Sequence, residues 1–222
     1  MHKVDILKNT QVINPATEEY YNKIRTNIQF SCVDVKTILV TSHTQSEGKS
    51  TVSLNIALSF AKLGLNVLYL DADVRKSALT SRFYFEDGAL GLTNYLSGLS
   101  SLDDILYQSE LPNLTIIPAG NYSPNPTELL ESHKFQQLLA SFKEQYDYII
   151  IDAAPIGVVV DALILAKQSD ASLLVAGSQM VKKNEVLRTV EQLNNTQSQF
   201  LGVILNKVNV KKNRSYGNYG NY

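Results

Sequence analysis

A short loop in the first quarter of the chain carries the residue types of a phosphate-binding site. Residues 48–51 read Gly-Lys-Ser-Thr and lie between an apolar run and a helical pattern. In such a loop, backbone N–H groups and the helix N-terminus face the anion, a lysine reaches the β- and γ-phosphates, and a hydroxyl binds Mg²⁺. The candidate nucleotide-binding residues of this loop are Ser46, Glu47, Gly48, Lys49, Ser50 and Thr51.

The loop departs from the full Gly-x-x-x-x-Gly-Lys-Ser/Thr pattern at its start. His43 occupies the position of the first glycine, and Ser46 stands where a glycine would ease the turn. A residue other than glycine with a positive φ is strained by about 1 kcal/mol or more. We therefore expect a lower nucleotide affinity or turnover than usual, and we expect His43 to be a loop residue rather than a catalyst.

Aspartates at the ends of two apolar runs form a second candidate set. Asp71 and Asp73 follow the run 66–70, and Asp152 follows the run 148–151. Ligands of open parallel sheets bind outside the carboxyl ends of the strands, where carboxylates suit Mg²⁺ coordination and activation of a nucleophile. Alternatively, such aspartates merely cap helices or turns. The nearby phosphate loop favours a metal site made of Ser50, Asp71, Asp73 and Asp152. Asp161 is expected to be a charge at a helix N-terminus.

The elements that must position these residues alternate between strands and helices. Continuous apolar runs predict buried strands at 37–41, 66–70, 114–117, 148–151, 171–175 and 201–205. Helical periodicity predicts helices at 50–63, 134–144 and 184–194, and a polar helix at 18–30 follows an irregular arm over residues 1–17. This alternation predicts an α/β fold with three layers, in which a mostly parallel sheet has helices on both faces.

Composition excludes several classes of protein. The 222 residues carry 20 Lys+Arg and 21 Asp+Glu, a net charge of −1, so no nucleic-acid partner is expected. One cysteine excludes a disulfide framework and a thiolate metal site. No apolar run approaches the roughly 20 residues that a spanning helix needs, and the N-terminus lacks the apolar region of a signal peptide. We expect a cytoplasmic chain that reaches a membrane only through a partner.

The tyrosines fall into two groups. Tyr69 is among those that lie in or beside predicted elements and is expected to be a packing residue. Tyr216, Tyr219 and Tyr222 lie in the segment 207–222, which is rich in Lys, Asn, Gly and Tyr and has no apolar periodicity. That composition is typical of a flexible tail. The predicted organisation is one domain over 1–206, including the arm, followed by this tail.

Several motifs in order make the chain resemble the bacterial tyrosine kinases of capsule and exopolysaccharide biosynthesis. The motifs lie at 48–51, 70–75, 123–126, 150–155 and 205–207. Three of them correspond to the Walker A, A′ and B motifs of that family, and the resemblance covers nearly the whole chain, including the tail. It implies a fold like that of the MinD/ParA branch of P-loop ATPases, with ATP and Mg²⁺ as cofactors and tyrosine phosphorylation as the activity.

The resemblance also implies roles for individual residues. Lys49 would bind phosphate, and Ser50 and Asp152 would lie at the Mg²⁺ site. Asp71 would be a metal-site group and the first candidate for the catalytic base, with Asp73 beside the metal. Asn206 stands at the position that usually contacts adenine.

Assembly and partners follow from the same resemblance. Glu19 and Arg25 match helix positions used for ring assembly, although Asn22 replaces an arginine of that pattern. Tyr216, Tyr219 and Tyr222 would be autophosphorylated in trans, as one subunit presents its tail to the next. A membrane-spanning adaptor would activate the kinase and recruit it to the inner face of the membrane, and a cognate tyrosine phosphatase would reverse the modification.

Two other functions fit parts of the sequence. A MinD/ParA-type positioning ATPase would carry an extra lysine near the start of the loop, where this chain has Thr44. A nucleotide-binding regulator without catalysis would explain the departures at His43, Gln45, Ser46 and Asn22. Turnover measured with and without a partner separates the second alternative from a kinase.

Overall fold

A computed structural model of the chain describes residues 2–6, 15–31, 34–77, 79, 83–85 and 89–209. The strands are β1 His2–Ile6, β2 Thr37–Ser42, β3 Val67–Asp71, β4 Phe83–Tyr84, β5 Tyr107–Ser109, β6 Leu114–Ile117, β7 Tyr148–Asp152, β8 Ala171–Gly177 and β9 Gln199–Asn206. The helices are α1 Pro15–Ser31, α2 Lys49–Ala61, α3 Leu92–Leu96, α4 Pro126–Glu131, α5 His133–Gln145, α6 Asp161–Gln168 and α7 Lys183–Asn194. No helix in this described part is long and apolar enough to cross a membrane.

The strands form one sheet in the order β4-β1-β5-β6-β3-β7-β2-β8-β9. The six strands from β6 to β9 in this order are parallel to one another. β5 is antiparallel to β6, β1 is parallel to β5, and β4 is antiparallel to β1. The mostly parallel sheet predicted from the apolar runs is confirmed, and its antiparallel pairs are confined to one side.

Apolar residues fill both faces of the sheet. Neighbouring residues of one strand enter opposite clusters, so Leu39 packs with α5 and α6 on one face and Ile38 packs with α1 and α2 on the other. Because strands with two covered faces must be apolar at every position, the continuous runs in the sequence are explained by this layering. All six predicted strands and the three predicted amphipathic helices are present.

The expected irregular arm over residues 1–17 is wrong in part. Residues 2–6 form β1, which pairs with β5 on one side and β4 on the other, and α1 begins at Pro15 rather than at residue 18. Val4 is the described side chain of β1 that enters the core, with 2% of its surface exposed. The five residues of β1 include three that are polar, so the pattern lacked the apolar run of a buried strand.

Two features of this fold place the loop and the aspartates together. The parallel register pairs Asp71 at the end of β3 with Asp152 at the end of β7. The neighbouring strand β2 leads at the same edge into the loop that precedes α2. The carboxyl ends of three adjacent strands therefore deliver the candidate residues to one edge of the sheet.

Helix α1 is attached to α2 by a partly buried polar contact. Arg25 Nη1 donates hydrogen bonds to the carbonyl oxygen and Oγ of Ser59, at 3.0 and 2.9 Å, and to Asn22 Oδ1 at 3.0 Å. Ser59 Oγ donates to Asn22 Oδ1 at 2.8 Å. Arg25, a candidate for ring assembly, and Asn22, which replaces an arginine of that pattern, thus join two helices of the same chain.

Replacing Arg25 should test this attachment. We expect Arg25→Ala to lower the free energy of unfolding by about 1–3 kcal/mol, since hydrogen bonds from a charged donor to partly buried acceptors are lost. Urea unfolding of the nucleotide-free protein measures the change. Lys23→Ala is the matched control on the same helix, because Lys23 pairs with Glu19 in an exposed ion pair; its unfolding midpoint should stay at the wild-type value. Equal midpoints for Arg25→Ala and wild type would contradict the attachment.

Candidate active site

The loop before α2 adopts the turn expected from its sequence. Gly48 is the N-cap of α2 with a φ of 96°, and Ser46 has a φ of 64°. Ser46 is thus a residue with a side chain in the left-handed region, as the missing glycine predicted. A Cβ on Gly48 would lie 2.1 Å from Asn206 Nδ2 and would displace that amide, and the positive φ by itself favours glycine.

Hydrogen bonds from outside the loop hold it in place. The buried Glu47 carboxylate accepts from the Thr44 backbone N–H at 2.6 Å and from the Gly177 N–H, at the end of β8, at 2.7 Å. Asn206 Nδ2 donates to the Glu47 carbonyl oxygen at 2.9 Å, and Lys207 Nζ donates to the Ser46 carbonyl oxygen at 2.6 Å. The carbonyl groups of residues 46 and 47 therefore have partners within the protein.

A cavity of about 440 Å³ opens in front of this loop. Its lining contains four cationic side chains and one carboxylate, namely Lys49, Arg75, Lys76, Lys207 and Asp73. The excess of positive charge, together with the N-terminus of α2, suits a ligand with several phosphate groups. Val158 and Val159 supply an apolar part of the wall.

The predicted site residues divide into two shells around the cavity. Those that line it are Ser46, Gly48, Lys49, Ser50, Thr51 and Asp73. Those that lie behind the wall, without lining it, are Glu47, Asp71, Asp152 and Asn206. The amide of Asn206 donates to the carbonyl oxygen of Glu47 in the loop backbone. The side chain of Glu47 fastens the loop to the sheet.

Lys49 lies at the centre of the acidic groups. Its Nζ is 2.8 Å from Asp73 Oδ2 and 3.5 Å from Asp152 Oδ1. Burial alone would lower the pKa of Lys49, but the charges of Asp152, Asp73 and Asp71 outweigh burial and raise that pKa above its ordinary value. Lys49 is therefore a fixed cation at the floor of the cavity.

The two buried strand-end aspartates are harder to ionise. Burial and the neighbouring Asp152 raise the pKa of Asp71 to about 7, although Ser77 and Lys49 act in the opposite direction. Burial likewise raises the pKa of Asp152, against the effects of Lys49, Ser50 and Tyr69. Asp71 Oδ1 accepts from the Asp73 backbone N–H at 3.1 Å, and Oδ2 accepts from the Ser77 hydroxyl. These bonds shape the turn that presents Asp73 to the cavity.

The donor set suits Mg²⁺ bound together with a nucleotide. Among the described residues, no three acidic, histidine or cysteine side chains converge on a site that would hold a metal by themselves. Asp73 and Asp152 nevertheless approach the same ammonium group, and Ser50 Oγ is 3.3 Å from it. Mg²⁺ prefers oxygen ligands and commonly binds one or two carboxylates, water and substrate phosphates. The residues present fit that mode.

An ion pair between the exposed Arg75 and the buried Asp161, which sequence reasoning did not find, braces the Asp73 turn. Arg75 Nε and Nη2 donate to the two carboxylate oxygens of Asp161, at 2.6 and 3.1 Å. Thr127 Oγ1, on α4, donates to Asp161 Oδ1 at 2.9 Å. Asp161 is the first residue of α6, as predicted, and is fully buried. The sequence feature that could have indicated this ion pair is Arg75 itself, which lies two residues after Asp73 in the same motif.

The remaining predicted residues lie elsewhere. Glu19 and Arg25 are on α1 and take intrachain partners, Lys23 and Ser59. His43 is a loop residue, as predicted, and its Nδ1 is 2.8 Å from Thr189 Oγ1 on α7. Tyr216, Tyr219 and Tyr222 lie outside the described residues.

Comparison with known proteins identifies the family. Residues 35–209 match the family described as an AAA domain. The chain is 47% identical over 206 residues to the tyrosine-protein kinase CpsD of Streptococcus agalactiae, covering 93% of this chain and 90% of the relative. It is 38% identical over 204 residues to the tyrosine-protein kinase YwqD of Bacillus subtilis, covering 91% and 86%. The chain belongs to the bacterial tyrosine kinases. The family and enzyme class predicted from the motifs, a tyrosine kinase of capsule and exopolysaccharide synthesis, are confirmed.

Solved structures agree with this assignment of the kinase. The kinase domain of the Escherichia coli tyrosine kinase ETK has a TM-score of 0.83 at 30% identity, covering 89% of this chain and 78% of that one. The septum site-determining protein MinD of Pyrococcus horikoshii, complexed with Mg-ADP, has a TM-score of 0.64 at 23% identity, covering 77% and 69%. The second likeness concerns the fold alone and confirms the predicted MinD/ParA-like architecture.

The raised pKa of Asp71 predicts a pH dependence of stability. A carboxyl whose pKa is higher in the folded kinase than its ordinary 3.8 stabilises the fold while protonated, and this contribution is lost as the pH rises through about 7. We expect this group to make the free energy of unfolding of the nucleotide-free and Mg²⁺-free protein fall between about pH 4 and pH 7, by up to about 1.4 kcal/mol per pH unit for one proton, and level off above pH 7. Asp71→Asn should flatten this fall and stabilise the protein at pH 8.

Urea unfolding at several pH values in the presence of a chelator measures the effect. Asp103→Asn, which removes an exposed carboxyl outside the site, is the control and should keep the wild-type pH dependence. The assignment fails if the Asp71→Asn protein loses stability with pH as steeply as the wild type does.

Proposed function

We propose that this kinase transfers the γ-phosphoryl group of ATP, bound with Mg²⁺, to tyrosines of its own C-terminal tail, in trans. The observation that carries the proposal is the position of Lys49. Its ammonium lies between Asp73 and Asp152, beside the N-terminus of α2 and at the floor of a cationic cavity. That arrangement suits the terminal phosphates of a nucleotide.

The chain's own groups would act mainly by position and charge. Lys49 and the backbone N–H groups of residues 46–51 would bind the β- and γ-phosphates and stabilise the negative charge that develops on their oxygens. Ser50, Asp73 and Asp152 would hold Mg²⁺, with Asp71 behind them. When bound, Mg²⁺ would supply further neutralisation of the phosphate oxygens.

A carboxylate would accept the proton of the attacking tyrosine. As the tyrosine oxygen bonds to the γ-phosphorus, the bond from that phosphorus to the bridging oxygen breaks and ADP leaves. A tyrosine hydroxyl has a pKa near 10 and is mostly protonated at neutral pH, so a nearby base assists. Asp71 remains the first candidate because burial raises its pKa to about 7. Asp73 is the alternative, because it lines the cavity directly.

The tail has the chemistry of an acceptor for this site. Tyr216, Tyr219 and Tyr222 are separated by Gly and Asn, which permit a close approach of the backbone to the cavity. Residues 211, 212 and 214 are Lys, Lys and Arg, which would favour a site that carries a polyanionic nucleotide. Each phosphate adds about −1.5 to −2 charge. Phosphorylation would therefore weaken the binding of one tail to a neighbouring site and loosen a ring.

Assembly and control would follow the pattern of the family. A homo-oligomeric ring would form with Glu19 and Arg25 of α1 as its candidate contacts, and Arg25 would also keep its bond to Ser59 of the same chain. A membrane-spanning adaptor would recruit and activate the chain at the inner face of the membrane, and a tyrosine phosphatase would remove the phosphates. Through this cycle the kinase would regulate the synthesis and export of polysaccharide.

Removal of the Lys49 charge should abolish tail phosphorylation. We expect Lys49→Met to lower phosphate incorporation into Tyr216, Tyr219 and Tyr222 by about 10²-fold or more, since a cation aimed at the transferred group is lost. Intact-mass analysis and peptide mapping after incubation with Mg-ATP and an adaptor measure it. Lys167→Met, an exposed lysine of α6, is the control and should be modified like the wild type.

A mixing experiment tests transfer between chains. Lys49→Met protein supplies an intact tail, and a second protein with all three tail tyrosines replaced by Phe supplies an intact site. Phosphate on the tail of the Lys49→Met protein is expected only when both are present. A wild-type tail that stays unmodified with Mg-ATP and an adaptor would instead favour a regulator without catalysis.

A further inference from the structure

A tyrosine hydroxyl lies inside the core directly behind the Asp152 carboxylate. Tyr69 is 1% exposed and belongs to the cluster between the sheet and α2. Its hydroxyl donates to Asp152 Oδ2 at 3.1 Å and is 3.3 Å from Ser53 Oγ. The other oxygen of the same carboxylate, Oδ1, faces Lys49 Nζ at 3.5 Å. Tyr69 and Lys49 therefore contact different oxygens of Asp152, and Ser50 also bonds to this carboxylate.

The sheet register explains how Tyr69 reaches this position. Tyr69 and Asp71 are two residues apart on β3 and point to the same face, while Asp71 is paired with Asp152 on β7. Asp152 is thus the diagonal neighbour of Tyr69, a distance that an aromatic side chain spans. A phenylalanine would fill the same apolar space, so packing alone does not require the hydroxyl. What the hydroxyl adds is a hydrogen bond to a buried acidic group.

We propose that Tyr69 is a positioning residue for the magnesium–nucleotide complex. By holding Oδ2 of Asp152, it fixes the rotation of the carboxylate and keeps Oδ1 turned toward Lys49 and the cavity. This inference rests on the proposed function, in which Asp152 contributes to the Mg²⁺ site. Tyr69 itself does not line the cavity and acts only through Asp152.

Ser53 extends the contact to the helix that follows the phosphate loop. When the Tyr69 hydroxyl donates to Asp152, its oxygen is available to accept from Ser53 Oγ. Ser53 lies one turn after Lys49 on α2 and is buried. A line of hydrogen bonds thus joins α2 to the carboxylate across the core, with Tyr69 as the central member.

The test measures binding rather than turnover. The affinity for a fluorescent ADP analogue is determined over a range of free Mg²⁺ concentrations and again with a chelator. For Tyr69→Phe we expect the Mg²⁺ concentration that gives half of the affinity gain to rise about tenfold, the scale found when partners of metal-binding groups are removed. The affinity in chelator should stay at the wild-type value, because Tyr69 does not touch the nucleotide cavity.

Three further variants separate positioning from general packing. Tyr148→Phe removes a hydroxyl from β7, where the ring stacks on Phe60 at 4.0 Å, and should leave the Mg²⁺ response unchanged. Ser53→Ala keeps the bond between Tyr69 and Asp152 and should change the response less than twofold. Tyr69→4-aminophenylalanine keeps the ring and restores a donor, and it should recover the wild-type response. Urea unfolding of each protein confirms that the fold is retained.

The outcomes distinguish this inference from the proposed function. If the wild type binds the ADP analogue equally well with and without Mg²⁺, the proposed metal site fails and the role of Tyr69 fails with it. If the wild type responds to Mg²⁺ and Tyr69→Phe responds identically, only the role of Tyr69 is overturned. An equal loss in Ser53→Ala, or no recovery with 4-aminophenylalanine in a folded protein, also overturns it.

Discussion

Charge balance around Lys49 is the constraint on which the site depends. Three carboxyl groups, those of Asp71, Asp73 and Asp152, are buried near a single ammonium group. Buried charges are costly unless they are paired, and one cation does not neutralise three anions. Two pKa shifts reduce this imbalance. The raised pKa of Lys49 keeps its ammonium charged, and the raised pKa of Asp71 keeps its carboxyl mostly protonated below a pH of about 7. A ligand that brings its own divalent cation would relieve the same imbalance.

The architecture around this cluster serves to keep it in place. The parallel register sets Asp71 beside Asp152, the Arg75–Asp161 ion pair ties the following turn to α6, and Glu47 ties the phosphate loop to β8. Because these contacts come from separate parts of the chain, the conformation of the phosphate loop does not depend on glycine alone. That accounts for a loop that tolerates Ser46 in the left-handed region, where the strain is compensated by contacts such as the one between Lys207 and the Ser46 carbonyl group.

The sheet, the phosphate loop and the edge where the aspartates meet were predictable from the sequence. Buried parallel strands are continuous apolar runs, and their carboxyl ends share one edge of the sheet. The sequence did not allow β1 to be predicted, since a short strand at the margin of the sheet with mostly polar residues has no such run. Contacts between residues far apart in the sequence were not predictable either, because the side chains involved are of types that fit several roles. These contacts join Glu47 to Gly177, Arg75 to Asp161 and Arg25 to Ser59. Motif matching suggested a nucleotide contact for Glu47 and an assembly contact for Arg25. The structure adds contacts of both side chains within the chain, which the motifs did not show.

The last strand of the described chain has a consequence for the dynamics of the kinase. Among the described strands, β9 pairs with β8 alone and lies at an edge of the sheet. Asn206 at its end and the following Lys207 donate hydrogen bonds to the carbonyl groups of the phosphate loop. Fraying of this edge would release the loop, so a ligand that binds only the ordered loop must also stabilise the pairing of β9. Amide hydrogen exchange along β9 would then slow on ligand binding, although no residue of that strand lines the cavity. The outermost strand becomes a reporter of occupancy at the centre of the sheet.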